Sequence, residues 1–292
     1  MEQENTPKSE TEIAEDLQRI REWLQKQPHL PKDFDDDFII SYIKQCKSLE
    51  KVKKKIDAFC TARTNMPKYF QFPHTDILDP AFRKACKFTN MFFLPEATPE
   101  NYRVFFTKGC NVEEYDCHQA AVRIMMMMEV SLMKWPDMNG IIIIMDVAGG
   151  DSSIISKFDV STTYKAGVYL ESSSPLKMKN LIMINSTSSN DFIINNIIKP
   201  FLKNKMTSRI MSSTSDKILK DYVPISILPK EYEGGTAPSS QELNDEWLQI
   251  LEQKRDWFAK YSKFCSDENK RPADSKNPEN MMNGSFKYLS ID

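Results

Sequence analysis

The chain has 292 residues, of which 40% are hydrophobic and 27% are charged, and its formal net charge is −2. This composition is typical of a globular protein with one large domain plus appendages, or with two domains. The nearly balanced charge argues against nucleic acid as a partner, so any anion-binding surface has to be a local patch.

The cysteines and histidines do not form the pattern of a metal site. None of the six cysteines stands in a CxxC pair and the three histidines lie far apart, so we expect no metal and no cofactor. The first ten residues are polar and lack the apolar core of a secretory signal. The longest apolar run, residues 141–147, is too short to span a bilayer. We therefore expect a cytoplasmic protein with free thiols.

The first 65 residues have the pattern of a small helical bundle. Residues 1–10 read as a disordered tail, and residues 11–27 carry apolar side chains at helical spacing. Acidic residues then precede a second helix at 38–47, and Ser48 caps a third. The bundle is predicted to cover residues 11–65.

After a Pro-rich connecting segment at 66–100, with one short helix around 82–87, strands and helices alternate. This alternation predicts an α/β sheet with crossover connections over residues 101–240. A terminal helix at 241–265 and a flexible tail at 266–292 follow. The predicted strands are 102–107, 141–147, 181–185 and 208–212, and the predicted helices are 115–135, 152–158, 162–172, 191–205 and 216–222.

The motifs of common catalytic sites are missing from the sequence. No nucleophile elbow, P-loop or dinucleotide-binding glycine motif occurs. The pair Gly149-Gly150 is compatible with a phosphate cradle, but a plain strand-to-helix turn is the favoured interpretation. Cys117 and His118 are neighbours that point about 100° apart on a helix, so they do not form a nucleophile–base pair. Asp146 ends a strand without an acidic or histidine partner, which favours a structural cap and a protein that is not an enzyme.

Methionine is the unusual residue of this chain, with 16 copies and four in a row at 125–128. Methionine is flexible and polarisable, so it suits a cavity wall that adapts to an apolar guest. Ordinary core packing is the alternative, and helical periodicity alone favours it. The broad apolar stripe of this helix consists of Ala121, Ile124, Met125, Met128 and Leu132.

The segment 191–206 combines a wide apolar face with nearby basic residues. Pro200 stands inside it and is expected to kink or break the helix. A basic amphipathic helix with a weak point suits an anionic membrane surface, whereas a surface helix packed on the sheet is the alternative. The apolar face consists of Ile193, Ile194, Ile197, Ile198, Phe201, Leu202 and Met206, and the basic residues are Lys199, Lys203, Lys205 and Arg209.

Together these segments resemble the CRAL-TRIO family of lipid-binding proteins, and most of all its insect α-tocopherol-transfer-like branch. The likeness covers about residues 12–260, and it is the order and spacing of the segments that are specific. They include GIIIIMDVAG at 140–149, SPLKMK at 174–179 and ILPKEY at 227–232. The other matching segments are 21–30, 36–47, 53–63, 102–103, 184–185, 198–202 and 234–235.

The resemblance implies a mostly parallel sheet that forms the floor of an apolar pocket, helices around it, and a mobile gate helix at 191–206. It also shifts our interpretation of the methionine stripe from core to pocket wall. The gate side chains would be Phe192, Ile193, Ile197, Phe201, Leu202 and Met206. The ligand contacts would be Ala121, Ile124, Met125, Met128, Leu132, Ile141, Ile143, Met145, Phe158, Ala166, Tyr169, Leu170, Leu181, Ile194, Asn195 and Ile198.

Relatives of the α-tocopherol type use a basic patch near the gate for phosphoinositide head groups, and the matching residues here are Lys177, Lys179, Lys205 and Arg209. Several donors with positive charge suit a phosphate, although a solvated surface cluster is the alternative. Two departures from the family pattern stand out. Asn195 replaces a bulky gate aromatic, so a polar side chain that faces the pocket would need a partner on the ligand. Cys46-Lys47 replaces a second arginine of the phosphoinositide site.

The resemblance therefore implies a cytoplasmic carrier, peripheral at membranes, that binds one hydrophobic molecule in a gated pocket. Tocopherol, retinoid, carotenoid or terpenoid cargo would be exchanged at anionic, phosphoinositide-containing membranes. The alternatives are a lipid-sensing regulatory module and a phospholipid exchange protein. An enzyme that acts on bound lipid is disfavoured by the missing catalytic groups.

Overall fold

The computed structural model describes residues 8–109, 113, 115–149, 153–199 and 207–272. Its N-terminal part is a three-helix bundle, which confirms the three predicted helices. Ser9 and Glu12 form a capping box at the start of the first helix, so the orphan N–H groups of its first turn are satisfied. The helices are α1 (Glu10–Gln25), α2 (Asp36–Gln45) and α3 (Leu49–Asn65).

A five-stranded sheet follows, and its strands lie side by side in chain order. The first pair is antiparallel and the other three pairs are parallel. The sheet consists of β1 (Asn90–Phe93), β2 (Tyr102–Lys108), β3 (Gly140–Asp146), β4 (Met178–Ile184) and β5 (Ile210–Ser212).

The segment 66–100 is more ordered than its composition predicts. It contains two short helices, α4 (Pro67–Phe70) and α5 (Pro80–Ala85), and the edge strand β1. The four-residue strand is too short to show alternation in the sequence, and it is held by antiparallel pairing with β2.

The connections between the parallel strands carry helices on one face of the sheet, as right-handed crossovers require. Aromatic contacts identify this face. Phe105 packs 5.0 Å from Phe93, and Phe93 packs 5.6 Å from Trp135 at the end of the first crossover helix. The crossover helices are α6 (Cys117–Lys134), α7 (Ile154–Lys157), α8 (Val160–Ser172) and α9 (Ser188–Phe192).

The chain then crosses the opposite face of the sheet. Two 3₁₀ turns, Asp216–Asp221 and Ile225–Ile227, lead to Tyr232, whose ring centroid lies 5.4 Å from that of Phe106. Because Phe105 and Phe106 are neighbours on β2, they point to opposite faces, so Tyr232 covers the side away from α6.

The predicted terminal helix is two helices, α10 (Ser240–Gln253) and α11 (Arg255–Tyr261), interrupted at Lys254. The two helices pack on different parts of the molecule: α10 contacts β1 and α11 contacts the N-terminal bundle. Trp247 of α10 lies 5.0 Å from Phe93, and Tyr261 of α11 lies 5.2 Å from Phe38. A short 3₁₀ turn, Glu268–Lys270, follows.

A buried ion pair joins the bundle to the sheet domain. Both nitrogen–oxygen distances from Arg63 of α3 to the Glu129 carboxylate of α6 are short, 2.8 and 2.9 Å. The same carboxylate accepts a hydrogen bond from the Tyr169 hydroxyl of α8. Burial lowers the pKa of Arg63, but the Glu129 charge outweighs it and leaves that pKa raised.

Candidate functional site

The two faces of β3 and β4 differ in how completely they are covered. The face away from the crossover helices is closed, and its isoleucines are at most 3% exposed. The face toward those helices keeps Ile143, Met145 and Leu181 partly exposed. Apolar side chains that stay accessible beneath a layer of helices border an open space. The closed face consists of Ile142, Ile144, Ile182 and Ile184.

The helices around this space contribute apolar side chains as well. Ile194 is buried and packs in one cluster with Met183 and Ile210 of the sheet. Other members of the predicted wall remain partly exposed on α6, on α8 and in the adjoining turns: Ile124, Phe158, Ala166, Leu170 and Ile198. The structure thus brings much of the predicted pocket together on one side of the sheet. Ligand contact by these residues remains a prediction.

Two residues of the predicted wall point elsewhere. The Tyr169 ring lies 4.6 Å from Phe70 and its hydroxyl is bonded to Glu129, so it faces the bundle side. Leu132 belongs to the apolar core of the bundle, with residues such as Phe38. Helical periodicity placed Leu132 in one stripe with Ile124, but α6 has packed neighbours on several sides and the stripe is divided among them. Tyr169 lies on α8 and was assigned to the wall by the family resemblance.

The four consecutive methionines are all buried. None of residues 125–128 is more than 2% exposed, because α6 contacts α2, α4, α5, α8 and α10. Met125, Met128 and the nearby Ala121 belong to the main core of the domain, and so does Ile141 of β3. Their role as pocket wall stays a prediction.

The predicted gate begins as α9 and continues into a π-helical turn, Ile193–Ile198. A π-helical turn is a wide, weakly bonded form that often marks functional sites. The described part of the gate, residues 188–199, is called the gate segment below. Pro200, Phe201, Leu202, Lys205 and Met206 lie outside the described residues, as does the side chain of Ile197.

Within the gate segment, Phe192 is half exposed whereas Ile193 and Ile194 are buried. Asn195 is exposed, and its side-chain oxygen accepts a hydrogen bond from the Lys199 ammonium at 2.8 Å. The structure therefore places Asn195 on the outer surface, against the prediction that it faces the pocket. Ile194 points toward the sheet, and adjacent residues of a helix point in different directions, so Asn195 points outward.

The predicted phosphoinositide residues that are described lie at the amino ends of β4 and β5. Lys177 and Lys179 are exposed, and Nη1 of Arg209 donates to the carbonyl of Met178 at 2.5 Å. Lys179 Nζ lies 5.4 Å from the Tyr102 ring centroid. Lys177 and Arg209 therefore flank one backbone segment and form a basic edge of the sheet.

The bundle adds basic residues that sequence reasoning missed. Burial raises the pKa of the Cys46 thiol, and the charges of Lys55, Lys51 and Lys177 act against that rise. Lys55 Nζ also donates to the Ser174 carbonyl at 2.8 Å. Lysines from α3 thus share a surface with Lys177, and the KVKKK run at 51–55 was the available signal.

The residues with possible catalytic roles are used structurally. The Asp146 carboxylate accepts hydrogen bonds from the Tyr232 hydroxyl at 2.5 Å, from Asn185 Nδ2 at 2.8 Å and from the Ala148 N–H at 3.0 Å, so it is a cap as predicted.

Cys117 and His118 are turned toward different neighbours. Cys117 Sγ lies 3.8 Å from the Asp159 carbonyl oxygen, whereas the His118 ring packs 4.5 Å from that of Tyr69. Within the described ranges no three side chains are grouped as metal ligands.

A mostly parallel five-stranded sheet with crossover helices on one face and an N-terminal helical bundle defines the class of an α/β protein. Comparison with known families agrees. The CRAL/TRIO domain matches residues 87–234, and a Pinta-like UBA domain matches residues 9–82. The chain belongs to the CRAL/TRIO family, as the sequence segments predicted.

Individual relatives support the same assignment. The chain is 26% identical to the protein named Alpha-tocopherol transfer protein-like from Homo sapiens over 264 residues, which are 86% of this chain and 72% of that protein. The Mus musculus protein of the same name is 25% identical over the same shares. The crystal structure of Sfh5 superposes with a TM-score of 0.51 at 14% identity, over 86% of this chain and 99% of that one, which shows a common fold. Among the helices of the described residues, none has the length and apolar character needed to cross a membrane.

Proposed function

We propose that this protein carries one hydrophobic small molecule of the tocopherol, retinoid, carotenoid or terpenoid type. The observation that carries the proposal is the partly exposed apolar floor formed by Ile143, Met145 and Leu181 beneath the crossover helices. A ligand that buries about 400 Å² of apolar surface there would gain on the order of 10 kcal/mol before the costs of binding. That gain is large enough to hold a molecule that water dissolves poorly.

Exchange at an anionic membrane is the second part of the proposal, and two surfaces support it. The basic edge with Lys177, Lys179 and Arg209 offers the charge that phosphoinositide head groups bind. Within the gate segment, Phe192 is 50% exposed, and Ile155 on the contacting helix α7 is 38% exposed. Apolar side chains at this place can enter the membrane interface while the gate segment moves.

The cargo is tested by native mass spectrometry, with organic extraction, on protein purified from its own tissue. One dominant neutral apolar molecule at one per chain supports a dedicated carrier. A mixture of phospholipids would instead support an exchange protein, and protein without any lipid would contradict the proposal.

Membrane exchange is tested by transfer of the extracted ligand between vesicles with and without phosphoinositide. We expect Lys177→Glu to slow transfer roughly tenfold or more, since each basic residue contributes about 1 kcal/mol near an anionic surface and reversal doubles the effect. Lys263→Glu is the matched control, because Lys263 is exposed beyond α11 and the charge change is the same. Equal rates in both variants would contradict the role of the basic edge, and ligand binding without any transfer would indicate the regulatory alternative.

A further inference from the structure

The first turn of the gate segment has a polar attachment to the sheet. Oδ1 of Asp191 accepts hydrogen bonds from the Ser186 hydroxyl at 2.9 Å and from the Ser212 hydroxyl at 2.5 Å. Ser186 lies just beyond the end of β4, and Ser212 is the last residue of β5. One carboxylate therefore joins the start of the gate segment to the carboxyl ends of two neighbouring strands.

The backbone around this attachment is held in place as well. Ser186 is buried, and its N–H donates to the Ser213 carbonyl at 2.9 Å. The Thr187 side chain caps α9 by accepting from the N–H of Asn190, which is itself buried. The carboxylate thus binds to a fixed part of the sheet edge.

Asp191 lies on the inner face of the gate segment, together with Ile194. Residues three apart lie on the same side of a helix, and Ile194 packs in one apolar cluster with side chains of the sheet. Phe192 and Asn195, also three apart, are exposed on the outer side. The inner face therefore contacts the sheet through a polar group at 191 and an apolar group at 194.

The helical hydrogen bonding changes directly after the polar contact. The α-helical part ends at Phe192, and the π-helical turn begins at Ile193. Apolar contacts have no preferred direction, whereas hydrogen bonds do. The bonds of Asp191 therefore fix the position of the segment just before its irregular part.

We propose that Asp191 is a positioning residue for ligand exchange. With Ser186 and Ser212 it forms a latch that holds the start of the gate segment on the sheet and sets how often the segment opens. The inference rests on the proposed carrier function and adds the group that controls its gate.

The latch is tested by hydrogen–deuterium exchange of the full chain without ligand, since amide exchange reports how often a segment opens. We expect Asp191→Ala to raise the exchange rate of amides 188–199 about tenfold, because two hydrogen bonds to a charged acceptor are lost. Asp191→Asn keeps a side-chain oxygen and should stay within about threefold of the wild type. The matched control is Asp221→Ala, because Asp221 is exposed at the end of a 3₁₀ turn on the opposite face of the sheet.

Ser212 provides an independent check of the same bonds. Ser212→Ala removes one donor and should have a smaller effect, and its control is Ser188→Ala at the exposed first position of α9. Combined with Asp191→Ala it should add nothing, because the shared bond is already lost. Equal exchange in Asp191→Ala and Asp221→Ala would overturn the latch. A rise of the same size in α6 and β3 would also overturn it, since that would be a general loss of stability.

The exit of retinol into phosphatidylcholine vesicles, followed by retinol fluorescence, connects the latch with ligand exchange. We expect Asp191→Ala to speed exit by a similar factor, since gate opening limits release, and Asp221→Ala to leave it unchanged. Faster amide exchange with an unchanged exit rate would overturn the role of Asp191 in exchange. Wild-type protein that takes up no retinol would count against a retinoid cargo, whereas amide exchange needs no ligand and decides on the latch by itself.

Discussion

Arg63 shows how one buried residue can join separate parts of the chain. Besides its ion pair with Glu129, its Nε donates to the Tyr261 carbonyl at 3.0 Å and its guanidinium lies 3.4 Å from the Phe59 ring centroid. Removing one partner of such a pair leaves the other charge buried and unpaired. We expect Arg63→Met to lower the free energy of unfolding by about 3–5 kcal/mol, measured by urea denaturation.

The matched control is Arg19→Met. Arg19 is 61% exposed and its partners Glu15 and Asp16 lie 3.5 Å away, so the loss should be below about 0.5 kcal/mol. Similar losses for the two variants would mean that the Arg63 pair does not hold the bundle on the domain.

His29 is a second residue whose burial has a measurable consequence. It is 2% exposed, and burial and then the Arg271 charge lower its pKa, which Asp57 only partly opposes. The folded state therefore keeps His29 neutral, whereas the unfolded chain takes up a proton near pH 6.5. Stability from this group is present above about pH 6.5 and is lost as the pH falls from there toward the lower folded pKa.

We expect the urea midpoint to fall between about pH 7.5 and pH 5.5, and His29→Gln to make that fall smaller. His118 retains its own lowered pKa in this variant, so part of the fall should persist. An unchanged pH profile in His29→Gln would show that folding does not lower the pKa of His29.

At the level of elements, the start of β3 depends on a glycine. Gly140 has φ = +151°, and a Cβ at this position would lie 2.5 Å from the Lys177 carbonyl oxygen, at the place where β3 meets β4. Gly167, inside α8, has no atom within 4 Å of the corresponding position. The same substitution therefore has opposite consequences in a strand and in a helix.

We expect Gly140→Ala to lower the free energy of unfolding by about 2–3 kcal/mol and Gly167→Ala to raise it by about 0.5–1 kcal/mol, because alanine restricts the unfolded chain and favours a helix. Thermal or urea denaturation of both variants checks this. A loss of stability in Gly167→Ala would mean that α8 is packed more tightly at this point than the structure shows.

At the level of the whole molecule, the bundle and the sheet domain have separate apolar cores that are joined by buried contacts. Phe38 packs on Tyr261, Gln45 Nε2 donates to the Met138 carbonyl at 2.8 Å, and Arg63 pairs with Glu129. We expect a single unfolding transition in calorimetry, with equal calorimetric and van't Hoff enthalpies. Two transitions would show that the Pinta-like UBA region at 9–82 is an independent unit.

Much of the fold could be read from local pattern. The apolar run at 141–147 predicted a strand covered on both faces, and β3 occupies Gly140–Asp146. The three bundle helices and the crossover helices were predicted by caps and periodicity, because these signals act within one turn or two. The family followed from ordered segments spread along the chain.

The candidate site was predicted less completely. The direction in which each side chain points depends on packing against residues that are distant in sequence. Ile143, Met145 and Leu181 lie on the partly open face, because register and alternation place them there, and their contact with a ligand stays a prediction. Tyr169 and Leu132 turn to the bundle, and Asn195 turns outward. The strand β1 had no local signal and exists because β2 pairs with it.

The amino-acid sequence by itself determined most of the elements, the family and the apolar character of the helices around the sheet. Only the tertiary structure decided which side of α6 faces which neighbour, that lysines of α3 join Lys177, and that Arg123 is buried with its terminal nitrogens bonded to neutral oxygens. The physical reason is that propensity, capping and periodicity are local. Burial and electrostatic interaction, in contrast, depend on distances between residues that only the folded chain brings together.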